Sequence, residues 1–364
     1  MLDSEWCSVM VNLKWPDDKT RISTEVRKFV IETFRHNKNL SAAHDFNHVE
    51  RVATGAYAIV KALGGTEREA EMARAGGYLH DLVRSRTEGD DDERLSMKKA
   101  KPELYRLVKS GTFTKKEADI MLTAIMTKSV PKQLLSNSRK DRVSFFLKDR
   151  SRLIRLAVFI ADKTDANGAF SMARRSQFVG GERFYTGDLK NFKRRLEKEG
   201  NALAKRFDPE LAILSASYLR FGFKNNPSFY PKWFRPVVDR LYAEQREFYF
   251  GLLAHRGLHE ADLARMLIDM KFPGAEASSI MRLESKRPDS DRMVDAVTRE
   301  QVDAAVELVR FFGAPKNFSA DTAELVRRFR PKNKKAKEWR REMLSYLDGG
   351  MDSLLRSLRL PSGL

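Results

Sequence analysis

The feature that most constrains this chain is a His-Asp pair, His80-Asp81, inside the otherwise apolar segment Tyr78-Leu79-His80-Asp81-Leu82. Thr66 and Glu69 have the spacing of a capping box, which predicts a helix from residue 66 through Leu82. An imidazole and a carboxylate buried in such a helix without partners would cost several kcal/mol. The chain must therefore fold so that other groups compensate this pair.

A divalent cation held by several side chains would provide that compensation. A further histidine, His48, lies at the entry of another predicted helix, and Asp162 ends the apolar run Leu156–Ala161, where a buried carboxylate also needs a cation. Imidazole nitrogens and carboxylate oxygens are common ligands of divalent metals. The sequence thus predicts a metal site formed by His48, His80, Asp81 and Asp162, with positions left open for water and substrate.

Apolar residues recur at helical spacing along most of the chain. The pattern is clear over residues 23–34, where it defines one face of a helix, and it predicts further helices over residues 49–63, 115–126 and 153–162. A small hairpin is expected over residues 178–185, around a Gly-Gly step.

Three short motifs occur in a fixed order: His-Asp-x-x-His-x-x-Arg-Val at residues 44–52, Leu-His-Asp at 79–81 and Ala-Asp-Lys-x-Asp at 161–165. Their combination resembles the pattern of the HD-superfamily metal-dependent phosphohydrolases, over about residues 23–185. The resemblance implies an all-α fold, an HD-domain helical bundle with an additional mostly helical C-terminal region. It also implies that His48, His80, Asp81 and Asp162 are the metal ligands.

The resemblance implies one divalent metal ion, of Mn, Mg, Co, Zn, Ni or Fe. Two-metal members of the superfamily carry extra histidines between the His-Asp pair and the last Asp, but this chain has no histidine between residues 81 and 254. The matching positions look like Glu93 and Lys128. A site with a single metal is therefore expected.

By the same resemblance, the expected function is hydrolysis of a phosphoester or phosphoanhydride bond, of a nucleotide, by metal-activated water. The residues expected to take part in catalysis are Asp81, Lys128 and Glu71. Those expected to neutralise substrate phosphate are basic: Arg51, Arg84, Lys128 and Lys163. Those expected to orient the ligands are His44, Asp45 and Asp165.

The charge leaves two alternatives open. The formal net charge is +18, and residues 101–200 contribute much of it, with 23 Lys and Arg against 11 Asp and Glu. Such an excess favours an anionic partner. An aromatic stretch over residues 218–250 and a basic run over residues 327–341 are compatible with RNA or DNA. The alternatives are a nuclease or cyclic-phosphate phosphodiesterase, and a nucleic-acid-binding regulator with a nucleotide-sensing HD site.

Composition also limits the cellular setting and the domain organisation. The single cysteine, Cys7, excludes an intramolecular disulfide, and no apolar stretch approaches the length of a membrane span. We expect a cytoplasmic protein with no membrane partner. The predicted divisions are an N-terminal extension over 1–22, the HD phosphohydrolase domain over 23–215, a helical region over 216–326 and a basic tail over 327–364.

Overall fold

A computed structural model of the chain describes residues 21–36, 45–83, 92–126, 150–165, 168–178, 210–211, 213–214, 235–269, 290–314, 317 and 321–357. Over these residues it is all-α, with no strand. The thirteen helices within the described ranges are α1 Arg21–His36, α2 Phe46–Ala62, α3 Glu67–Leu79, α4 Asp92–Lys109, α5 Lys115–Met126, α6 Arg150–Asp165, α7 Gly168–Phe178, α8 Arg235–His255, α9 Glu260–Asp269, α10 Ser290–Asp295, α11 Arg299–Phe312, α12 Thr322–Arg328 and α13 Lys334–Ser357.

The predicted capping box at the start of α3 is confirmed. The Thr66 hydroxyl accepts a hydrogen bond from the backbone N–H of Glu69, and the Glu69 carboxylate accepts one from the backbone N–H of Thr66. These bonds satisfy N–H groups that a helix start otherwise leaves without partners. The turn before them contains Gly64, which has φ +75, a conformation that glycine adopts readily.

The N-terminal core consists of buried apolar residues from Ile22 to Ala161, together with Leu241. Helix α3 lies at its centre and packs against α1, α2, α5 and α6. The apolar run that the sequence places at residues 156–161 is buried on α6, in contact with α2 and α3. This packing brings the end of α6 to the same place as the end of α3 and the start of α2.

Close approach of α2 and α3 depends on Gly77. A Cβ atom at this position would lie 2.5 Å from the Cα of Ala53 and 2.8 Å from its backbone nitrogen. No side chain fits there, because both atoms belong to the backbone of α2. The two helices therefore cross with their backbones nearly in contact, three residues before His80.

The C-terminal core consists of buried apolar residues from Ala169 to Met343, contributed by helices from α7 to α13. It begins upstream of residue 216, where the sequence analysis places the second region, and that boundary stays a prediction. The basic segment over residues 327–341 is folded: Ala336 and Trp339 within it, and Met343 just after it, are fully buried on α13. Helix α13 packs on α7 and α11, and also on α2 of the N-terminal half.

Two other expectations concern local structure and membranes. Of the expected hairpin, Phe178 ends helix α7, and residues 179–185 lie outside the described residues. None of the described helices has both the length and the hydropathy needed to cross a bilayer.

Candidate metal centre

Four of the predicted ligands converge at the ends of three helices. His48 lies in the first turn of α2, His80 caps the C-terminus of α3 with Asp81 next to it, and Asp162 lies in the last turn of α6. Asp81 Oδ2 is 3.5 Å from Nε2 of both histidines, and Asp162 Oδ1 is 3.6 Å from the same two nitrogens. Asp162 has the most exposed side chain of the four, at 14%.

Hydrogen bonds at the outer nitrogen of each imidazole fix its direction. Nδ1 of His80 donates to the backbone oxygen of Gly77 at 2.6 Å, and Nδ1 of His48 donates to Asp165 Oδ2 at 2.7 Å. Both partners are acceptors, so each Nδ1 carries the proton and each Nε2 presents a lone pair. Two nitrogen lone pairs and two carboxylate oxygens thus face one another across the site.

These groups fit a divalent cation. His80 Nε2 is buried and has no hydrogen bond within the described part of the chain. Ligand atoms of His48, His80 and Asp162 lie within 4.8 Å of one another. Electron-rich atoms collected in a buried site repel one another unless a cation lies between them. Two nitrogens and a carboxylate oxygen, with Asp81 adjacent, match the ligands of a transition metal better than those of Ca²⁺.

The pKa shifts keep the site in a ligating state. Burial lowers the pKa of His48, and the Arg174 guanidinium lowers it further, so the imidazole stays neutral. Burial alone would raise the pKa of Asp162, but the Lys163 ammonium, 2.7 Å from Oδ2, outweighs it and holds that pKa well below its ordinary value. The neutral imidazole and the ionised carboxylate are the forms that bind metals.

Asp165 is the centre of a hydrogen-bonded network behind His48. Besides the His48 bond, its carboxylate accepts from Arg51 Nε at 2.8 Å, from an Arg174 nitrogen at 2.6 Å and from the Tyr346 hydroxyl at 2.5 Å. Burial would raise the pKa of Asp165, but Arg51 and Arg174 hold it well below its ordinary value. The carboxylate is therefore ionised and fixes the His48 ring.

Arg51 and Lys163, which the sequence analysis assigns to substrate phosphate, are paired with carboxylates of the site itself. Arg51 binds Asp165, and its guanidinium lies 4.6 Å from the centre of the Phe170 ring. Lys163 Nζ is 2.7 Å from Asp162 Oδ2, the oxygen turned away from the histidines. In this arrangement both cations hold site residues in place, and their contact with a substrate phosphate stays a prediction.

Glu71 lies on the far side of α3 from the ligands. Nine residues separate it from His80, which is two and a half helical turns, or about 13 Å along the axis. Glu71 pairs with Arg74 at 3.0 Å and lines a different cavity, with Glu67 and Arg68. A role of Glu71 in catalysis stays a prediction, and the residue contacts Arg74 in this arrangement.

The remaining predicted residues divide into two groups. Asp45 caps α2 by accepting a 3.0 Å hydrogen bond from the backbone N–H of His48, and burial raises its pKa to about 6 despite nearby Arg51. It thereby fixes the backbone that carries the ligand. The other three lie outside the described residues: His44, Arg84 and Lys128.

Three functional positions escape the sequence reasoning: Gly77, Arg174 and Tyr346. Of the three, only Gly77 could have been recognised from the sequence. Two adjacent glycines inside a helical pattern destabilise the helix, so their presence indicates a place where close packing excludes a side chain. Arg174 and Tyr346 reach Asp165 from elements with no recognisable motif.

Of the comparisons with known proteins, the one with protein families agrees with this geometry. No curated protein and no solved structure matches the chain significantly. The family model of the HD domain matches residues 45–167, which run from the cap of α2 to just beyond Asp165. This match supports an HD-superfamily domain over residues 45–167, and all four predicted ligands lie inside it.

Proposed function

We propose that this chain is a metal-dependent phosphohydrolase that cleaves a phosphoester or phosphoanhydride bond of a nucleotide. One divalent cation would be held by His48, His80, Asp81 and Asp162. The carrying observation is the convergence of two imidazole lone pairs on two carboxylate oxygens at 3.5–3.6 Å in a buried site. When bound, the cation supplies a Lewis acid that acidifies water and polarises a phosphoryl oxygen.

The charges around the site support an anionic substrate. Lys163, Arg51 and Arg174 are paired with Asp162 and Asp165, and Asp81 adds a third carboxylate. Three positive and three negative side chains balance, so a divalent ion leaves the cluster with two positive charges, or one when Asp45 is ionised. A net positive, water-poor site attracts phosphate groups.

Access to the ligands is one-sided. His48, His80 and Asp81 have side chains 2% exposed or less, whereas Asp162 is 14% exposed. A substrate phosphate would therefore approach from the side of Asp162. The chain's own part in the reaction is to hold the ligands rigidly while the buried histidines limit water to that open side.

The test is a hydrolysis screen of the full chain, stripped with EDTA and reloaded with one metal at a time. The substrates are nucleotides, cyclic nucleotides and short RNA. We expect activity with one of them that requires metal and is lost in Asp81→Ala and His80→Ala. Asp303→Ala, at an exposed carboxylate on α11, is the matched control and should remain active. Activity that survives both ligand substitutions would refute the proposal.

A second candidate, a nuclease or phosphodiesterase acting on RNA or DNA, is favoured by one observation. The stretch from the end of α12 into α13 exposes seven cations: Arg327, Arg328, Arg330, Lys332, Lys334, Lys337 and Arg341. A nucleic-acid substrate would release counterions there, and its affinity would fall steeply with salt. Lys334→Glu with Lys337→Glu should then weaken oligonucleotide binding and flatten its salt dependence. A mononucleotide hydrolase would show neither effect.

A further inference from the structure

Asp165 is the place where the two cores of the molecule meet at the metal centre. Its Oδ2 accepts from Nδ1 of the proposed ligand His48, from Arg174 of α7 and, at 3.3 Å, from Arg51 Nη2. Its Oδ1 accepts from Arg51 Nε and from the hydroxyl of Tyr346. Tyr346 lies on α13, 181 residues further along the chain and beyond the HD-domain match.

Packing holds the Tyr346 hydroxyl on this carboxylate. The Tyr346 ring contacts Phe170, with centroids 5.4 Å apart, and the Arg51 guanidinium lies 4.6 Å from the centre of the same Phe170 ring. The two groups that donate to Asp165 Oδ1 are thus both held in position by the Phe170 side chain of α7. Without the hydroxyl, Oδ1 would keep Arg51 Nε, while Oδ2 keeps His48, Arg174 and, at 3.3 Å, Arg51 Nη2. The carboxylate would then rotate about its Cβ–Cγ bond toward the donors of Oδ2.

Such a rotation would reach the metal ligand. The two oxygens of the Asp165 carboxylate move together, so a displacement of Oδ1 also displaces Oδ2. Because Oδ2 accepts the proton of His48 Nδ1, the imidazole ring would move with it. The direction of the His48 lone pair depends on that hydrogen bond. The hydroxyl on α13 is therefore linked to the metal through two hydrogen bonds and one imidazole.

A second contact ties the C-terminal half to the same helix start. Asn47, next to His48, donates to Asp321 Oδ2 at 3.1 Å, and Asp321 also caps α12 by accepting from the backbone N–H of Ala323. The first turn of α2 is thus attached to the segment that leads into α13. Contacts from Tyr346, Arg174 and Asp321, all beyond the HD-domain match, thus converge on the residue pair Asn47-His48, the first two through Asp165.

We propose that Tyr346 is a positioning residue for the metal centre: it orients His48 through Asp165, so that helix α13 is part of the site. The inference rests on the proposed function only in requiring a metal at the four ligands. If Tyr346 has this role, the C-terminal half of the chain contributes to the metal centre of the HD domain and is not functionally independent of it.

The test measures Co²⁺ binding to the metal-free full chain, by calorimetry and by the visible absorption of the bound ion. Tyr346→Phe, which keeps the ring and removes the hydroxyl, should lower the affinity by about tenfold, the low end for groups that orient a ligand. The absorption should change as well, because ring direction sets the ligand field. Tyr249→Phe is the matched control, since Tyr249 lies in the C-terminal core and its hydroxyl faces Glu260.

A double-mutant cycle that combines Tyr346→Phe with Asp165→Asn distinguishes this positioning role from a general loss of stability. If Tyr346 acts through Asp165, the two substitutions together should cost no more affinity than Asp165→Asn alone. Independent, additive effects would overturn the inference, as would unchanged affinity and absorption in Tyr346→Phe while His48→Ala abolishes binding. Absence of Co²⁺ binding by the unsubstituted chain would instead refute the metal site, and this inference with it.

Discussion

The imidazole of His80 donates its Nδ1 proton to the backbone oxygen of Gly77 at 2.6 Å, one helical turn earlier on α3. Gly77 is also the residue whose missing side chain lets α3 lie against the backbone of α2, which carries His48. One glycine therefore orients one of the two histidines proposed to bind metal and sets its separation from the other.

Gly77→Ala is expected to damage the metal centre. The added Cβ would meet the Ala53 backbone at 2.5 Å, so α2 and α3 must separate. Intrinsic helix propensity favours alanine by up to about 1 kcal/mol, and overpacking costs about 1–3 kcal/mol. We expect a net loss of stability and a weaker metal affinity, measured by urea unfolding and by calorimetry.

Gly76→Ala is the control for that substitution. Its Cβ would meet a side-chain methyl of Val158 at 3.2 Å, and a side chain adjusts more readily than backbone. This variant should bind metal with nearly native affinity. If Gly77→Ala stabilises the chain and binds metal normally, the close approach of α2 and α3 does not control the site.

Asp165→Asn should change how stability depends on pH. In the folded chain, burial is outweighed by Arg51 and Arg174, and the pKa of Asp165 lies well below its ordinary value of 3.8. As pH falls, the unfolded chain therefore takes up this proton first. The stabilisation is complete above about pH 5 and is lost as pH falls through 3.8 toward the folded pKa.

We accordingly expect the variant to be less stable than the parent by about 3 kcal/mol at pH 7, because two buried guanidinium groups lose their anion. The difference should narrow between pH 5 and pH 3.5. Urea unfolding in EDTA measures both values. Asp303→Asn, at an exposed carboxylate, should show little difference at either pH. A gap that stays constant with pH would contradict the ionised state of Asp165.

Lys163→Met should make metal binding more sensitive to acid. Lys163 lies 2.7 Å from Asp162 Oδ2 and is the largest influence that lowers the pKa of this carboxyl against the effect of burial. Without it the pKa of Asp162 rises, so protons compete with the metal at a higher pH. The variant should bind the metal more weakly than the parent, and this loss of affinity should be several times larger at pH 5.5 than at pH 8.

Lys61→Met, on the exposed surface of α2, is the matched control and should leave that ratio unchanged. The same variant distinguishes the two roles considered for Lys163. A phosphate-binding lysine would raise KM for substrate without altering metal affinity. That result would restore the role expected from the sequence and contradict the role inferred from the geometry.

The parts of this molecule that sequence reasoning predicts are those encoded by local spacing. The capping box at Thr66 and the convergence of His48, His80 and Asp162 follow from motifs in which each residue type has a chemical reason. The link to Tyr346 does not, because 181 residues separate it from Asp165 and the contact exists only after both cores have packed. The positive charge of Arg51 and Lys163, taken with the motifs, predicts phosphate contacts, but a sequence does not show which carboxylates lie close to these cations in space.

The basic segment at the start of α13 illustrates the same limit. Its many lysines and arginines indicate a solvated tail or a phosphate-binding surface, but Ala336, Trp339 and Met343 recur at spacings of three and four and form a buried face. Such spacing is the signature of an amphipathic helix. Net charge conceals it because the exposed face carries nearly all the cations.

Trp339→Ala tests whether this segment is part of the folded core. The Trp339 side chain is fully buried, packs on Phe248 with ring centroids 6.2 Å apart, and lies below Lys335. Its removal leaves a large cavity and should destabilise the chain by about 3–5 kcal/mol in urea unfolding. Arg341→Ala, two residues further along on the exposed face, should change stability by less than about 0.5 kcal/mol. If the two variants unfold alike, the segment is a solvated tail, and α13 cannot hold Tyr346 on Asp165.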